Sequence, residues 1–226
     1  MSTADFMAYV GDFPCGYVQY GSAQEFCDMI FPVKNLPIAE AFTLLIDGEM
    51  AAGNIPYYYD TNPNSKIMDE TIDVDYSGRS WTWQYCTEFG YFQTVSKMHR
   101  MRPFQVDLQY WRDGCQYVFP ALDYNATYPT ITYTEDQYGG GNKMQGTNIF
   151  FTNGSEDPWK WVTQLNDRPE INQRSHVSEC IGCAHCADLY TPQPEDPQNL
   201  KDTRQMVYDW LTDILNATQA PEPTQQ

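Results

Sequence analysis

The chain has 226 residues, which is enough for one domain with a sizeable core, or for one and a half. Its formal net charge of −17 excludes nucleic acids and anionic membrane surfaces as partners, because both would repel it. No run of eighteen apolar residues occurs, so the sequence predicts no membrane-spanning helix.

Residues 1–53 are predicted to form two helices with apolar stripes. The first stripe consists of Phe6, Met7, Val10 and Phe13. Pro14 is expected to end this first helix. The second stripe consists of Ile38, Phe42 and Leu45. The second helix is expected to end near Gly48 or Gly53, and an irregular connection rich in Pro, Asn and Asp follows from Ile55 to Gly78.

The middle of the chain mixes strand and helix patterns. Bulky aromatic and polar residues alternate from Trp81 to Cys86, which predicts a strand with one buried face. Glu88 follows this strand, where it could bind a substrate amine or form a structural ion pair. Tyr91 to Arg102 is interpreted as a helix-like surface segment. A further helix is expected from Asp107 until Gly114.

Ala121 to Gly141 is predicted to be a loop. It contains a glycosylation sequon at Asn125, a run rich in tyrosine, and three glycines at 139–141. No strand leads into these glycines, and no Lys-Ser or Lys-Thr follows in the register of a phosphate-binding loop. We therefore interpret them as a flexible turn before the next strand.

The apolar run Ile149–Phe151 predicts a buried strand of a parallel sheet. Asn153 and Gly154 end it, because both tolerate positive φ. Asp157 follows at once. Open α/β sheets place their chemistry in loops at the carboxyl ends of strands, so Asp157 is a candidate catalytic carboxylate. The alternative is that Asp157 is a turn residue that caps the next helix, with Pro158 at the first helical position.

The last third of the chain predicts a short helix from Trp159 to about Asn166 and a core strand near His176–Ser178. A loop of small residues around His185 follows. Pro197 at a first helical position predicts a final helix. The buried stripe of this helix is expected to consist of Val207, Leu211, Ile214 and Leu215. The polar tail, Ala220 to Gln226, is expected to be disordered.

His185 lies 28 residues after Asp157. This is the order of the last two members of an α/β-hydrolase triad, which runs Ser, then Asp or Glu, then His. In such a triad the imidazole takes the proton of the serine, and the carboxylate holds the imidazole in the required tautomer. The other two histidines, His99 and His176, do not lie in a small-residue loop after such a carboxylate. Asp157 and His185 are therefore predicted to be a catalytic pair.

Three motifs resemble one family of serine exopeptidases, which contains lysosomal Pro-X carboxypeptidase, dipeptidyl peptidase II and thymus-specific serine protease. In the family's order, these motifs are R-S-W-T-W-Q-Y-C-T-E-F-G-Y-F-Q-T (79–94), F-T-N-G-S-E-D-P-W (151–159) and C-x-x-C-A-H-C-A-D-L (180–189). The resemblance extends from about Asp5 to about Leu215. It implies that Asp157 is the triad aspartate and that His185 is the triad histidine.

The resemblance also implies a fold and a division of the chain. The expected fold class is α/β, as the C-terminal part of an α/β-hydrolase core plus the end of a helical cap domain. Residues 1–78 resemble the end of the cap and the connection after it. Residues 79–218 resemble the C-terminal part of the core, and residues 219–226 form the tail.

The activity that the resemblance implies is that of a serine-type exopeptidase. It would hydrolyse peptide substrates near a chain terminus, as a Pro-X carboxypeptidase or a dipeptidyl peptidase, and we predict no cofactor. The Gly-x-Ser-x-Gly elbow of the family does not occur, although Ser22 and Ser77 each supply half of that pattern. We therefore expect the C-terminal part of a longer protein, inactive alone. The alternative is a catalytically inactive fragment or pseudoenzyme that acts as an interaction module.

Several features indicate a secretory route. Sequons occur at Asn125 and Asn216, and seven cysteines are many for a cytosolic protein of this size. The segment Met1–Asp5 is not a signal peptide, so we expect the signal upstream of this chain. The predicted location is lysosomal, vacuolar or secreted. A homodimer is left open for the full-length protein.

The cysteines allow a zinc site or disulfides. The candidate zinc ligands are Cys180, Cys183, His185 and Cys186. Four ligands within seven residues would strain the loop, and a redox Cys180–Cys183 pair lacks a thioredoxin-like context. Disulfides are favoured, and family members are similarly bridged, with Cys86 and Cys115 as one candidate pair. Because seven is odd, at least one thiol is free or pairs outside the chain, and Cys186 is a candidate.

Overall fold

The computed structural model describes residues 3–21, 23–51, 66–96 and 103–219. The chain divides into two compact units. The first unit is made of Met1–Cys15 and Gln24–Tyr138, and the second of Gly16–Ala23 and Gly139–Gln226. In the described ranges the first unit is helical, whereas the second contains a two-stranded parallel sheet and the C-terminal helix. The division into a cap domain (1–78) and a core (79–218) stays a prediction.

The chain begins with three helices: α1, Thr3–Gln19; α2, Ala23–Ile30; and α3, Ile38–Ala51. The prediction that Pro14 ends α1 is wrong, since Pro14 lies inside it. Proline removes one backbone hydrogen bond from a helix. The ring of Phe13 packs at 5.6 Å from the ring of Tyr9 and at 5.8 Å from that of Phe26, and this packing stabilises the turns around Pro14. The second predicted helix is confirmed as α3, which continues past Gly48.

Three predicted segments lie wholly or partly outside the described residues. The irregular connection is described only from Lys66, where a 3-10 turn, Lys66–Met68, is followed by bends and turns. The surface segment from Tyr91 is described as far as Ser96, and the prediction of helix there is wrong. Tyr91 has a φ of 56°, and Val95 donates a backbone hydrogen bond to Val106, so the chain leaves helical geometry at once. The tail, 220–226, is outside the described residues.

The strand predicted from Trp81 to Cys86 is wrong. These residues lie in helix α4, Gly78–Gln84, and in the π-helical turn Tyr85–Phe89 that continues it. The alternation does not mark a sheet face, because the small residue Thr82 is buried while Trp81 and Trp83 are about half exposed. The Thr82 hydroxyl donates to the carbonyl of Gly78 at 2.9 Å, which is a local bond between successive helical turns.

A disulfide joins the π-helical turn to the next helix. Cys86 pairs with Cys115, so this prediction is confirmed. Both cysteines are fully buried, and with Val118, Phe119 and Leu122 they form the buried cluster of the first unit. Helix α5, Leu108–Val118, begins where it was expected, because the Asp107 carboxylate accepts a hydrogen bond from the amide of Tyr110. It continues past Gly114 to Val118.

The loop predicted from Ala121 to Gly141 is wrong, because helix α6 spans Tyr124–Tyr138. Its sequence is rich in tyrosine and threonine and contains Pro129, so intrinsic propensity does not favour a helix. Packing accounts for it: α6 lies against the π-helical turn and buries Ile131 there. Tertiary contact therefore overrides local preference.

The second unit contains the predicted parallel sheet. Strand β1, Ile149–Gly154, pairs in parallel with β2, Gln173–Ser178, and the register places Gly154 opposite Ser178. Both strands lie where they were predicted, but β1 is not the buried strand that was expected, because only Gly154 in it is fully buried. The helix predicted after Trp159 is instead a 3-10 turn, Pro158–Val162.

Helix α7, Gln198–Gln219, packs on this sheet. The predicted stripe is wrong in part, because Leu211 and Leu215 are exposed. The buried face instead carries Leu200, Thr203 and Trp210. The Thr203 hydroxyl lies 2.6 Å from that of Ser178, and the Trp210 ring packs edge-on against Phe150, so these contacts set the rotation of α7. No helix among the described residues has the length and apolar character needed to cross a bilayer.

Candidate active site

The candidate site lies in the two loops that follow β1 and β2. The carboxyl ends of parallel strands lie at the same edge of a sheet, so these loops meet. The amide of Ser155 donates to the carbonyl of Ser178 at 3.0 Å, and that of Glu156 to the carbonyl of Cys183 at 2.9 Å. The Glu156 carboxylate in turn accepts from the amide of Gly182 at 3.0 Å. The two loops are thus held together through their backbones.

Gly154 permits this close approach. A Cβ atom at this position would lie 2.3 Å from the carbonyl oxygen of Cys183 and 2.7 Å from that of Ala184. Both neighbours are backbone atoms, which cannot move aside as the end of a flexible side chain can. The last residue of β1 is therefore restricted to glycine by the loop that carries His185.

We expect Gly154→Ala to lower the free energy of unfolding by about 1–3 kcal/mol, the usual cost of inserting a methyl group into a closely packed site. A urea titration measures the change. The matched control is Gly16→Ala, because a Cβ at Gly16 in α1 would meet nothing within 4 Å. Equal unfolding free energies for Gly154→Ala and the parent would contradict this close approach.

The loop after β2 contains a disulfide between two cysteines that the sequence analysis considered only as a redox pair or as zinc ligands. Cys180 and Cys183 are joined, so they present no pair of thiolates to a zinc ion. Cys186 is a free thiol, as predicted, and has a φ of 57°. Partial burial raises the pKa of the Cys186 thiol above its ordinary value, and the charges of Asp157 and Asp188 raise it further.

Asp157 and His185, the two predicted catalytic residues, are in direct contact. His185 Nδ1 lies 2.9 Å from Asp157 Oδ2. The Asp157 side chain is 10% exposed and that of His185 is 34% exposed. The other oxygen, Asp157 Oδ1, accepts from the amide of Trp159 at 2.9 Å. Asp157 therefore caps the 3-10 turn, as one interpretation held, and also binds the imidazole, while its catalytic role stays a prediction.

Further groups that the sequence did not indicate surround His185. Its backbone amide donates to the carbonyl of Gln19, the last residue of α1, at 2.9 Å. The ring centroid of Tyr20 lies 6.4 Å from that of the imidazole, with an interplanar angle of 83°. The Trp159 ring lies at 6.5 Å. Trp159 is close in sequence to Asp157, but no motif links Gln19 or Tyr20 to His185.

The serine next to this pair in the sequence is hydrogen-bonded to the loop after β2. Ser155, two residues before Asp157, accepts from the amide of Cys180 and donates to its carbonyl, both at 3.2 Å. Ser77, one of the two half-matches to the nucleophile motif, is exposed just before α4 in the first unit. Ser22, the other, lies outside the described residues.

Comparison with known proteins agrees with the motifs. Residues 5–207 match the family described as serine carboxypeptidase S28. The chain belongs to this family. The resemblance predicted from the three motifs is therefore confirmed. Membership in the S28 family implies an α/β-hydrolase fold, of which the described residues contain the two-stranded parallel sheet.

The curated relatives are serine proteases and carboxypeptidases. The chain is 33% identical over 194 residues to a putative serine protease of Caenorhabditis elegans, covering 82% of this chain and 36% of the relative. It is 29% identical to thymus-specific serine protease of Mus musculus, covering 60% and 26%. It is 25% identical to lysosomal Pro-X carboxypeptidase of Homo sapiens, covering 82% and 36%.

The chain thus spans between 26% and 36% of the length of these three S28 relatives. No solved structure shows significant similarity to it.

Glu88, the other candidate residue, lies apart from this pair in the chain. It is exposed in the π-helical turn, so the prediction that it follows a strand is wrong. It lines a cavity of the first unit together with Asp69 and Asp73. Arg79 also lines this cavity and forms an ion pair with Glu70 at 3.1 Å. Glu88 forms no ion pair among the described residues, and its binding of a substrate amine stays a prediction.

Proposed function

We propose that this chain is the part of a serine-type exopeptidase that carries the aspartate and histidine of its catalytic triad. The observation that carries the proposal is the 2.9 Å contact between His185 Nδ1 and Asp157 Oδ2, in a chain of the S28 family. The two residues also lie in the loops after two adjacent parallel strands, which is where α/β sheets place catalytic groups.

In the proposed mechanism, His185 acts first as base and then as acid. The Nδ1–H group donates to Asp157, which leaves Nε2 to take the proton of a serine hydroxyl as its oxygen attacks the peptide carbonyl. The Asp157 carboxylate stabilises the imidazolium that forms. His185 then protonates the leaving amine, and water hydrolyses the acyl-enzyme by the same route. The serine and the oxyanion donors would come from sequence of the whole protein beyond these 226 residues.

The proposed substrates are peptides that are cleaved near one end. One relative is a lysosomal Pro-X carboxypeptidase by name, which supports cleavage after proline at the C-terminal end. A dipeptidyl peptidase type is the other specificity within this proposal. We assign the protein to a lysosomal or secreted location, because its two disulfides suit an oxidising compartment. We also propose that residues 1–78 are the end of a helical cap domain and the connection after it.

The test is made on the whole protein, purified from its own cell. The first peptide has a proline followed by a C-terminal residue with a free carboxylate. The second has an N-terminal dipeptide with a free amine. The third is blocked at both ends. We expect hydrolysis of the first or the second only, and loss of that activity after treatment with a serine-directed fluorophosphonate. Failure to hydrolyse any peptide, together with no labelling, would favour the inactive interaction module.

A further inference from the structure

The end of α1 lies against the loop that carries His185, within the second unit. We call Gln19, Tyr20 and Gly21 the helix-end turn. The last carbonyls of a helix have no partner in the helix itself. Here the carbonyl of Gln19 accepts the amide of His185 at 2.9 Å, so the backbone of His185 is fixed to the end of α1.

Gly21 brings the helix-end turn close to this loop. Its φ of 81° is the left-handed conformation that commonly ends a helix, and its amide donates to the carbonyl of Val18 at 3.2 Å. The position where a Cβ would lie is 3.4 Å from the carbonyl oxygen of Gly182 and 3.7 Å from the Cβ of Ala184. A side chain at this position would therefore touch the residues just before His185, so the turn runs close to them.

Tyr20 contacts the imidazole itself. Its ring is nearly perpendicular to that of His185, at 83°, with the centroids 6.4 Å apart, which is a favourable arrangement for two aromatic rings. The Gln19 side-chain amide donates to the Tyr20 hydroxyl at 3.2 Å, which fixes the far end of the tyrosine. Tyr20 is nevertheless 64% exposed, more than core packing requires.

We infer that Tyr20 is a positioning residue for His185, an inference that rests on the proposed peptidase function. The Asp157 carboxylate fixes one atom of the imidazole, Nδ1, and small coupled changes of χ1 and χ2 can still tilt the ring while this single hydrogen bond is kept. The Trp159 ring, with its centroid 6.5 Å away, restricts this tilt, and the nearly perpendicular Tyr20 ring at 6.4 Å restricts it further. Nε2 then stays directed at the position that the serine hydroxyl must occupy.

The test compares Tyr20→Ala and Tyr20→Phe in the whole protein. We expect Tyr20→Ala to lower kcat by roughly 10- to 100-fold, the usual effect of misplacing a reacting group, with KM within about twofold of the parent. Tyr20→Phe keeps the ring and should retain most of kcat. The matched control is Tyr208→Ala, because Tyr208 on α7 is 66% exposed and is not among the residues that contact His185.

His185→Ala separates failure of this inference from failure of the proposed function. If His185→Ala abolishes hydrolysis while Tyr20→Ala keeps kcat, the peptidase proposal stands and the role of Tyr20 is overturned. A rise in KM alone would mean that Tyr20 contacts substrate, which also overturns it. If His185→Ala is fully active, the proposed function itself fails. Should Tyr20→Ala not fold, Tyr20→Leu, which keeps apolar bulk without a ring, replaces it with the same expected loss.

Discussion

His185→Ala is expected to lower kcat/KM of the whole protein by at least about 10⁴-fold, because the serine then has no base to accept its proton and the leaving amine has no acid. The measurement is the initial rate on whichever terminal peptide the parent cleaves. The imidazole is 34% exposed, so its removal leaves no large buried cavity, and the unfolding midpoint should change little.

His176→Ala is the matched control for His185→Ala. His176 lies on β2, where it is paired in register with Thr152 of β1. It precedes Cys183, the second cysteine of the disulfide, by seven residues. His176→Ala also removes an imidazole from the second unit. The turnover of this variant per folded molecule should stay near that of the parent. If His185→Ala retained the turnover of the parent, His185 could not be the catalytic base.

The contact between Asp157 and His185 was predictable from sequence because it depends on one parallel strand pair. β1 has a short apolar run, β2 follows it, and the carboxyl ends of such strands bring their loops together. The contact of Tyr20 with His185 was not predictable. Tyr20 reaches His185 from the end of a helix far earlier in the chain, and an exposed tyrosine beside a glycine carries no signal of such a contact.

The predictions for α1 and α6 failed for one physical reason. Pro14 lies inside α1 and Pro129 inside α6, although each removes a backbone hydrogen bond. In α1 the ring contacts of Phe13 hold the turns on both sides. In α6 the burial of Ile131 against the π-helical turn does so. Contacts between distant segments offset a local cost that a sequence pattern cannot weigh.

Asp157→Asn distinguishes the two roles of this side chain. The Asp157 carboxylate accepts from the amide of Trp159 and also binds His185. Asparagine caps helical turns about as well as aspartate, so the cap should persist and the free energy of unfolding should change little. An amide can, however, donate to Nδ1, which moves the imidazole proton to Nε2. The imidazole can then no longer accept the serine proton.

We therefore expect Asp157→Asn to lower kcat by about 10⁴-fold, the effect of the same change in a characterised Ser-His-Asp triad, while the protein remains folded. Kinetics are measured alongside a urea titration, with Asp188→Asn as the control because it removes a carboxylate from the same loop as His185. If Asp157 were only a cap, both variants would turn over substrate like the parent. The cap survives the substitution. A large loss of kcat in Asp157→Asn alone, with an unchanged free energy of unfolding, would therefore mean that the carboxylate acts through the imidazole.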